Sequence, residues 1–415
     1  MVQTVLSNSM NKVIILKQGK ELFVRRFHPW IFSGAIARIL GKPQDGDLVE
    51  VQDHWQNYLA TGHYHQGSIA VKIIAYQPTE ADENFWFDKF ERAFKVRQLL
   101  DLQATNCYRL IHGEGDSCPG LIIDVYNGVA VLQAHSIGMH LARHQISKAL
   151  QQLYGANLQA IYDKSVETLP KEYASTIENS YLFGAATVPH AVLENNNTFL
   201  INWETGQKTG FFLDQRDNRA LLAKYAKGKR VLNAFCYSGG FSVYALKAQA
   251  TLVDSVDVSQ KAIDLTNENV LANFYSKQLS VSSEIIPQSA LNIPHSAYAE
   301  DVMKFLKASD GLYEVMVLDP PAYAKSMDAR HRAVQGYKRL NAEGMRRLAK
   351  GGVLFTFSCS QVVDRELFYN TIVAAALEAG RQVRVLHHLS QPADHPVNFF
   401  HPEGSYLKGL VLYVE

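Results

Sequence analysis

Cysteine is scarce in this chain: 415 residues hold four, Cys107, Cys118, Cys236 and Cys359. No two of them form a Cys-x-x-Cys pair, which removes the usual sign of a structural zinc. So few thiols in so long a chain fit a reducing, cytoplasmic setting. No metal site is expected. Charge of one sign is also missing, because 41 Lys and Arg face 40 Asp and Glu for a net +1. Any surface for nucleic acid must therefore be local. No apolar run approaches the ~20 residues that span a bilayer. The opening Met-Val-Gln-Thr-Val-Leu-Ser-Asn-Ser has neither the cationic start nor the apolar centre of a signal peptide. The pattern Gly-x-Gly-x-x-Gly is absent, which argues against a nicotinamide oxidoreductase.

What is present centres on Arg230 to Leu246, which reads as a buried strand, a small-residue turn and a helix. Gly239 and Gly240 allow positive φ and close approach of a ligand. The helix start beyond them offers unpaired N–H groups. A second strand, Thr251 to Ser259, carries Asp257, 18 residues past Gly239. That is near the spacing at which an acid meets ribose hydroxyls. Asp301 follows Ala297-Tyr-Ala-Glu, a fourth strand ends Leu-Asp-Pro-Pro (318–321), and a fifth ends Phe-Ser-Cys-Ser (357–360). Polar or reactive groups thus gather at one edge of one sheet. From residue 230 strands and helices alternate, as in a doubly wound α/β sheet. The last two strands, Val383–Leu389 and Tyr406–Glu415, lack a helix between them and imply an antiparallel hairpin.

Before that core, short strands at Val13–Leu16, Asp47–Val51, Tyr58–Gly62 and Ile69–Ile74 alternate with Gly, Asp and Asn turns and favour a small β-barrel. Trp30 and Phe32 are expected in its core, and Lys20, Arg25 and Arg26 at its surface. Residues 1–10 read as a disordered lead and 276–296 as a long polar connection. The spacing predicts a helix over 85–104, a hairpin through Tyr-Asn-Gly at 126–128, an amphipathic helix from His140 to Tyr154, and a long helix over Asp328–Ala349 that Lys350-Gly-Gly closes. The expected division is 1–80, 81–190 and 191–415.

These stretches resemble class I S-adenosylmethionine-dependent methyltransferases in order and content. Leu-Asp-Pro-Pro with Phe-Ser-Cys-Ser, and Arg25 to Gly34 ahead of them, narrow the likeness. They point to the PUA-containing 23S rRNA cytosine-5 methyltransferases, a resemblance covering nearly the whole chain. It implies a Rossmann-like methyltransferase sheet preceded by a PUA β-barrel and an α+β middle domain. It also implies S-adenosylmethionine as cofactor and large-subunit ribosomal RNA as partner, with a homodimer as a further expectation.

The cofactor residues it implies are Asn233, Phe235, Ser238, Gly239, Asp257, Asp301 and Asp319, with Gln215 and Arg216 reaching the cofactor's polar tail. Asn233 stands where many class I enzymes have Asp. The RNA residues are Lys20, Arg25, Arg26, Lys325 and Arg330. Cys359 is the nucleophile and Asp319 the group that holds the base. Cys236 is expected to pack or line the cofactor. No cysteine follows Asp-Pro-Pro, where Ala322-Tyr323 stands, so the base that removes a proton stays open among His331, Tyr323 and water. Two rivals remain: a guanine-nitrogen methyltransferase, which needs no thiol, and a non-catalytic RNA-binding protein.

Overall fold

The structure is a computed structural model that describes residues 12–274, 293–309, 311–324 and 326–415. Residues 1–10, expected as a lead, most of the long connection and Lys325 lie outside the described residues. The short β-branched runs before residue 78 pair into one six-stranded mixed sheet, ordered 30–32, 69–75, 58–64, 48–52, 13–16, 36–40. Its core is Ile14, Leu16, Val24, Ile31, Val49, Val51, Val71 and Ile73. The register of the Trp30–Phe32 strand corrects one expectation. Ile31 is the buried residue, while Phe32 is 49% exposed and Trp30 only half-buried. Side chains alternate across a strand, so burying Ile31 turns both aromatic neighbours away from the core.

The next unit is a five-stranded sheet, ordered 180–184, 160–163, 129–134, 121–126, 107–112. Helices Glu83–Gln98 and Arg143–Tyr154 bury Trp86, Phe90, Ile146 and Leu150 against it. Asp82 starts the first helix, its carboxylate accepting from the Phe85 N–H. A hairpin, His190–Glu194 with Asn197–Ile201, turns at Asn195 and Asn196, both at positive φ. It is fastened to helix Gln260–Phe274, where the Asn269 and Asn273 side-chain oxygens accept from the N–H groups of Leu200 and Thr198.

Seven strands make the C-terminal sheet: β1 (Arg230–Ala234), β2 (Leu252–Asp257), β3 (His295–Ala299), β4 (Tyr313–Leu318), β5 (Leu348–Ser358), β6 (Val383–Leu389) and β7 (Lys408–Val414). Their order is β3-β2-β1-β4-β5-β7-β6. Only β7 is reversed, lying antiparallel between β5 and β6. The central strands are apolar on both faces, as strands covered by helices on two sides must be. Val231, Val253, Val315 and Phe355 fill one side and Leu232, Val256, Met316 and Leu354 the other. The reversal at β1 sends the chain to opposite sides of the sheet, which opens a crevice beyond the strands' carboxyl ends. Lys350-Gly-Gly, expected to close a helix, instead lies inside β5. The preceding helix stops at Arg346, and Gly351 at φ +78° marks an irregular step in the pairing with β4. Among the described residues no helix is long and apolar enough to cross a membrane.

Candidate active site

Beyond β1 the backbone turns through Phe235, Tyr237 and Gly239, all at positive φ, into helix Gly240–Lys247. Gly239 is needed by the chain itself. A Cβ there would stand 2.7 Å from the Thr266 methyl. The missing side chain thus admits the neighbouring helix. Asp257 braces the same turn, its carboxylate accepting from the N–H groups of Tyr237 at 3.1 Å and Ser259 at 2.9 Å. It remains half-exposed, with acceptor capacity to spare. Asn233 is 1% exposed and donates to Ser242 Oγ, yet its Oδ1 is buried with no partner. A buried acceptor left open beside a helix start and a half-exposed carboxylate fits a ligand with an amino group and vicinal hydroxyls.

Ser238 is buried, and its carbonyl accepts from Asn269. Phe235 is half-buried at the mouth of the turn. Asp301 is exposed and caps helix Val302–Ala308, one oxygen accepting from the Lys304 N–H. That occupies part of the carboxylate assigned to the cofactor and leaves the other oxygen available.

Asp319 and Cys359 end β4 and the adjoining β5, so the parallel pairing itself brings carboxylate and thiol to one edge. Burial, reinforced by the charge of Asp214, pushes the Asp319 carboxyl up to about 7, against a hydrogen bond from Gln215 Nε2 at 2.9 Å. Cys359 is half-exposed. Burial, then the charges of Asp319 and Asp214, push its thiol up to about 11, with Lys208 opposing. The thiol's flank is fixed: Ser360 Oγ lies 3.1 Å from the Tyr337 hydroxyl and accepts from the Ala324 N–H. Cys236 differs. It is buried 3.4 Å from the Thr266 hydroxyl, and its thiol is pushed up to about 12. Asp214 is a further site residue: half-buried, it accepts from the Tyr406 hydroxyl and faces both Asp319 and Cys359. In the sequence it suggests no more than a helix start beside Gln215 and Arg216, and the fold carries it to the ends of β4 and β5.

Gln215 and Arg216 are not used alike. Gln215 reaches Asp319, whereas Arg216 grips the buried carboxylate of Asp394 through two nitrogens, at 2.9 and 3.0 Å. Asp394 also accepts from the Arg109 N–H and from His395 Nδ1, and its carbonyl accepts from Arg97. Arg216 thereby joins β6–β7 loop to the middle sheet. Of the basic residues, Lys20, Arg25 and Arg26 are exposed, and Arg25 lies 3.3 Å from buried Asp53. Arg330 is half-buried at the start of helix Arg330–Arg346. His331 is exposed, while Tyr323 packs against Tyr337. His28, His401 and Glu403 bring ligand atoms within 4.8 Å of one another. Their contacts already have another use: His28 bonds the Trp30 backbone, and His401 packs its tilted ring 4.2 Å from that of Trp30 and lies beside Glu403, closing the N-terminal sheet onto the β6–β7 loop.

Comparisons with known proteins agree with this layout. Residues 14–76 match the PUA-like domain family, and 108–402 match the S-adenosylmethionine-dependent methyltransferase family. A protein of Aeromonas hydrophila named ribosomal RNA large subunit methyltransferase I is 38% identical over 412 residues, covering 97% of this chain and 99% of that one. The protein of that name from Escherichia coli strain SMS-3-5 is 37% identical over 414 residues, covering 98% and 100%. A solved structure from Streptococcus mutans, described as a candidate methyltransferase, superposes with a TM-score of 0.79 at 22% identity, covering 97% and 99%. Another, described as a candidate methyltransferase complexed with SAH, gives 0.80 at 21% over the same shares. With the crevice, the open acceptors and these matches together, the chain belongs to the S-adenosylmethionine-dependent methyltransferases, with a PUA-like domain ahead of the catalytic sheet.

Proposed function

We propose that this protein methylates C5 of a cytosine in large-subunit (23S) ribosomal RNA through a covalent cysteine adduct. The observation that carries the reading is the pairing of a half-exposed Cys359 with Asp319 at the ends of two adjoining parallel strands. The curated relatives' name supports ribosomal RNA as the substrate class. Asp257 takes the ribose hydroxyls, and Asn233 Oδ1 takes the methionine amino group. Phe235, Ser238 and Gly239 form the wall between them, and Asp301 is an acceptor at the rim. The cofactor supplies an electrophilic methyl group.

Cytosine C5 is too weak a nucleophile to take that group unaided. Cys359 adds to C6, and the C5–C6 π pair moves to C5. Asp319, whose carboxyl keeps its proton to about 7, donates to N3 as charge develops there. Gln215 holds that carboxyl in place. The target base must leave its stack to enter, as for other base-modifying enzymes. Lys20, Arg25, Arg26 and Arg330 supply phosphate contacts, and Lys325 is assigned with them from the sequence. The same reading places the protein in the cytoplasm with the ribosomal RNA.

The test is trapping. RNA carrying 5-fluorocytosine at the target should form a covalent adduct with the wild-type protein, because fluorine does not leave as a proton does. Cys359→Ala should form none and make no 5-methylcytosine, while Cys236→Ala should still form it. A Cys359→Ala protein that methylates at the normal rate would sink this reading and favour the guanine-nitrogen alternative.

A further inference from the structure

The loop joining β6 to β7 leaves the catalytic edge and returns to it. Near its start Arg216 grips Asp394, and near its end the Tyr406 hydroxyl donates to Asp214. Its tip lies on the PUA-like domain and is held there. Asn398 Nδ2 donates to the Glu114 carbonyl at 3.2 Å, and Asn398 Oδ1 accepts from the Phe400 N–H at 2.8 Å. The His401 N–H donates to the Asn398 carbonyl at 2.9 Å, and Glu114 accepts from Trp30 Nε1 at 2.8 Å. On this fixed backbone Phe399 is 93% exposed and Phe400 50%. The Phe400 ring lies 6.0 Å from that of Phe399 and 5.4 Å from that of Phe27, which is itself 49% exposed. Three rings from two domains thus form one row open to solvent.

Phe27 carries a second observation. It closes the turn after helix Glu21–Arg25 at φ +62°, its N–H donating to the Val24 carbonyl at 2.9 Å. Glycine is the usual residue in that conformation, because a side chain is disfavoured there. A bulky ring is held in it without being buried, and backbone strain that the core does not require points toward function. Arg25 and Arg26 stand exposed directly before it, and Lys20 at the far end of the same helix. The exposed acid on this rim is Glu403, beside His401. Exposed rings edged by cations suit unpaired nucleic acid, whose bases stack on the rings while its phosphates meet the cations. They suit a second copy of the chain less, since a two-fold contact would set the same cations against one another.

We propose that Phe27, Phe399 and Phe400 form a stacking platform for unpaired bases of the substrate RNA, built jointly by the PUA-like domain and the methyltransferase domain. The proposal rests on the reading of the substrate as ribosomal RNA. Six residues separate Phe400 from Tyr406, whose hydroxyl is bound to Asp214, so the platform lies at most about 22 Å of chain from the crevice. Bases held on it set which nucleotide of the same strand reaches Cys359. The loop ties that register to the catalytic edge, because Arg216 and Asp214 hold both of its ends.

The full-length protein is titrated with a single-stranded oligoribonucleotide carrying 2-aminopurine, whose fluorescence falls on stacking, and with an RNA duplex of the same length. Phe399→Ala removes a ring that the fold leaves in solvent, so folding is not at stake. It should weaken single-strand binding about tenfold and lessen the quenching. The duplex affinity and the salt dependence should not change, because the cations are untouched. With a 23S ribosomal RNA transcript its KM should rise while S-adenosylmethionine affinity holds. Phe399→Trp, which keeps an aromatic face, should bind as the wild type does. Unchanged single-strand affinity in Phe399→Ala and in Phe399→Ala with Phe400→Ala overturns the proposal. So does a dimer that the double substitution makes monomeric with RNA affinity intact, since the face then belongs to a second copy. Wild-type methylation of ribosomal RNA beside unchanged variant affinities sinks the platform alone. A wild-type protein that neither binds nor methylates ribosomal RNA sinks the proposed function, and the platform with it.

Discussion

Two carboxylates near the catalytic edge are held in opposite states. Asp394 faces Arg216 twice, His395, and an N–H of Arg109, and its carboxyl is held far below the ordinary range. Asp319 faces a neutral amide from Gln215 and a second carboxylate at Asp214, and it rises to about 7. Burial opposes ionisation at both. The counter-charge decides the outcome. A fully paired carboxylate fastens parts of the chain together, whereas an under-paired one is free to hold or give a proton near neutrality.

The pH signs follow. The Asp394 value is depressed, so its contribution to stability is complete above the unfolded value of ~3.9 and is lost as pH falls below it. The Asp319 value is raised, so the folded protein holds a proton that the unfolded chain has lost between ~3.9 and about 7. Acidification from 7 toward 4 therefore relieves Asp319 and leaves Asp394 intact.

The largest effect should come from the under-paired partner. Asp319→Asn keeps a donor but loses the tunable proton, and it should lower turnover by about 10²–10⁴ with cofactor binding retained. Single-turnover methylation with calorimetry checks this, and normal turnover would place Asp319 outside the chemistry. Breaking the paired one should instead act on folding. Asp394→Ala leaves Arg216 buried without its counter-charge, and urea unfolding should show a loss of about 3–5 kcal/mol. A third carboxylate sharpens the contrast, because Asp257 is braced but still open. Asp257→Ala should weaken S-adenosylmethionine binding at least tenfold, since hydrogen bonds to a charged group contribute about 1.5–3 kcal/mol each. An unchanged affinity in calorimetry would remove it from the cofactor site. The smallest effect lies on the exposed surface. Arg25→Ala with Arg26→Ala should reduce the salt dependence of RNA binding by up to about two units of log–log slope. An identical slope would move the phosphate contacts to the helix that begins at Arg330.

The strand ends were legible in the sequence because each reactive group sits in a local signal. Asp319 precedes two prolines, Cys359 lies between two serines, and Asp257 closes a β-branched run. The fastening of the molecule was not legible. Arg216 and Asp394 are 178 residues apart, Arg109 and Asp394 are 285 apart, and no local pattern ties such charges together. The family resemblance implies both Gln215 and Arg216 at the cofactor, yet these neighbours in sequence are directed to Asp319 and Asp394. The Phe32 error has a different source. A strand of three residues is too short for alternation to fix its register, and a slip of one residue exchanges inside and outside. Lys350-Gly-Gly misled because a glycine pair closes helices and bends strands equally well.

The reversed polarity of β7 has a practical consequence. Its first residue, Lys408, stands beside Ser358 at the catalytic edge, while Val414 pairs with Gly352 at the other end of β5. Seven residues at roughly 3.3 Å each carry the backbone about 20 Å from the thiol. Glu415 lies there, its carbonyl accepting from Arg381 and its carboxylate pairing with Arg384. A reporter group attached at Glu415 would stand at the end of the sheet opposite the crevice, and the labelled protein could be followed on its RNA with the entrance to Cys359 unobstructed.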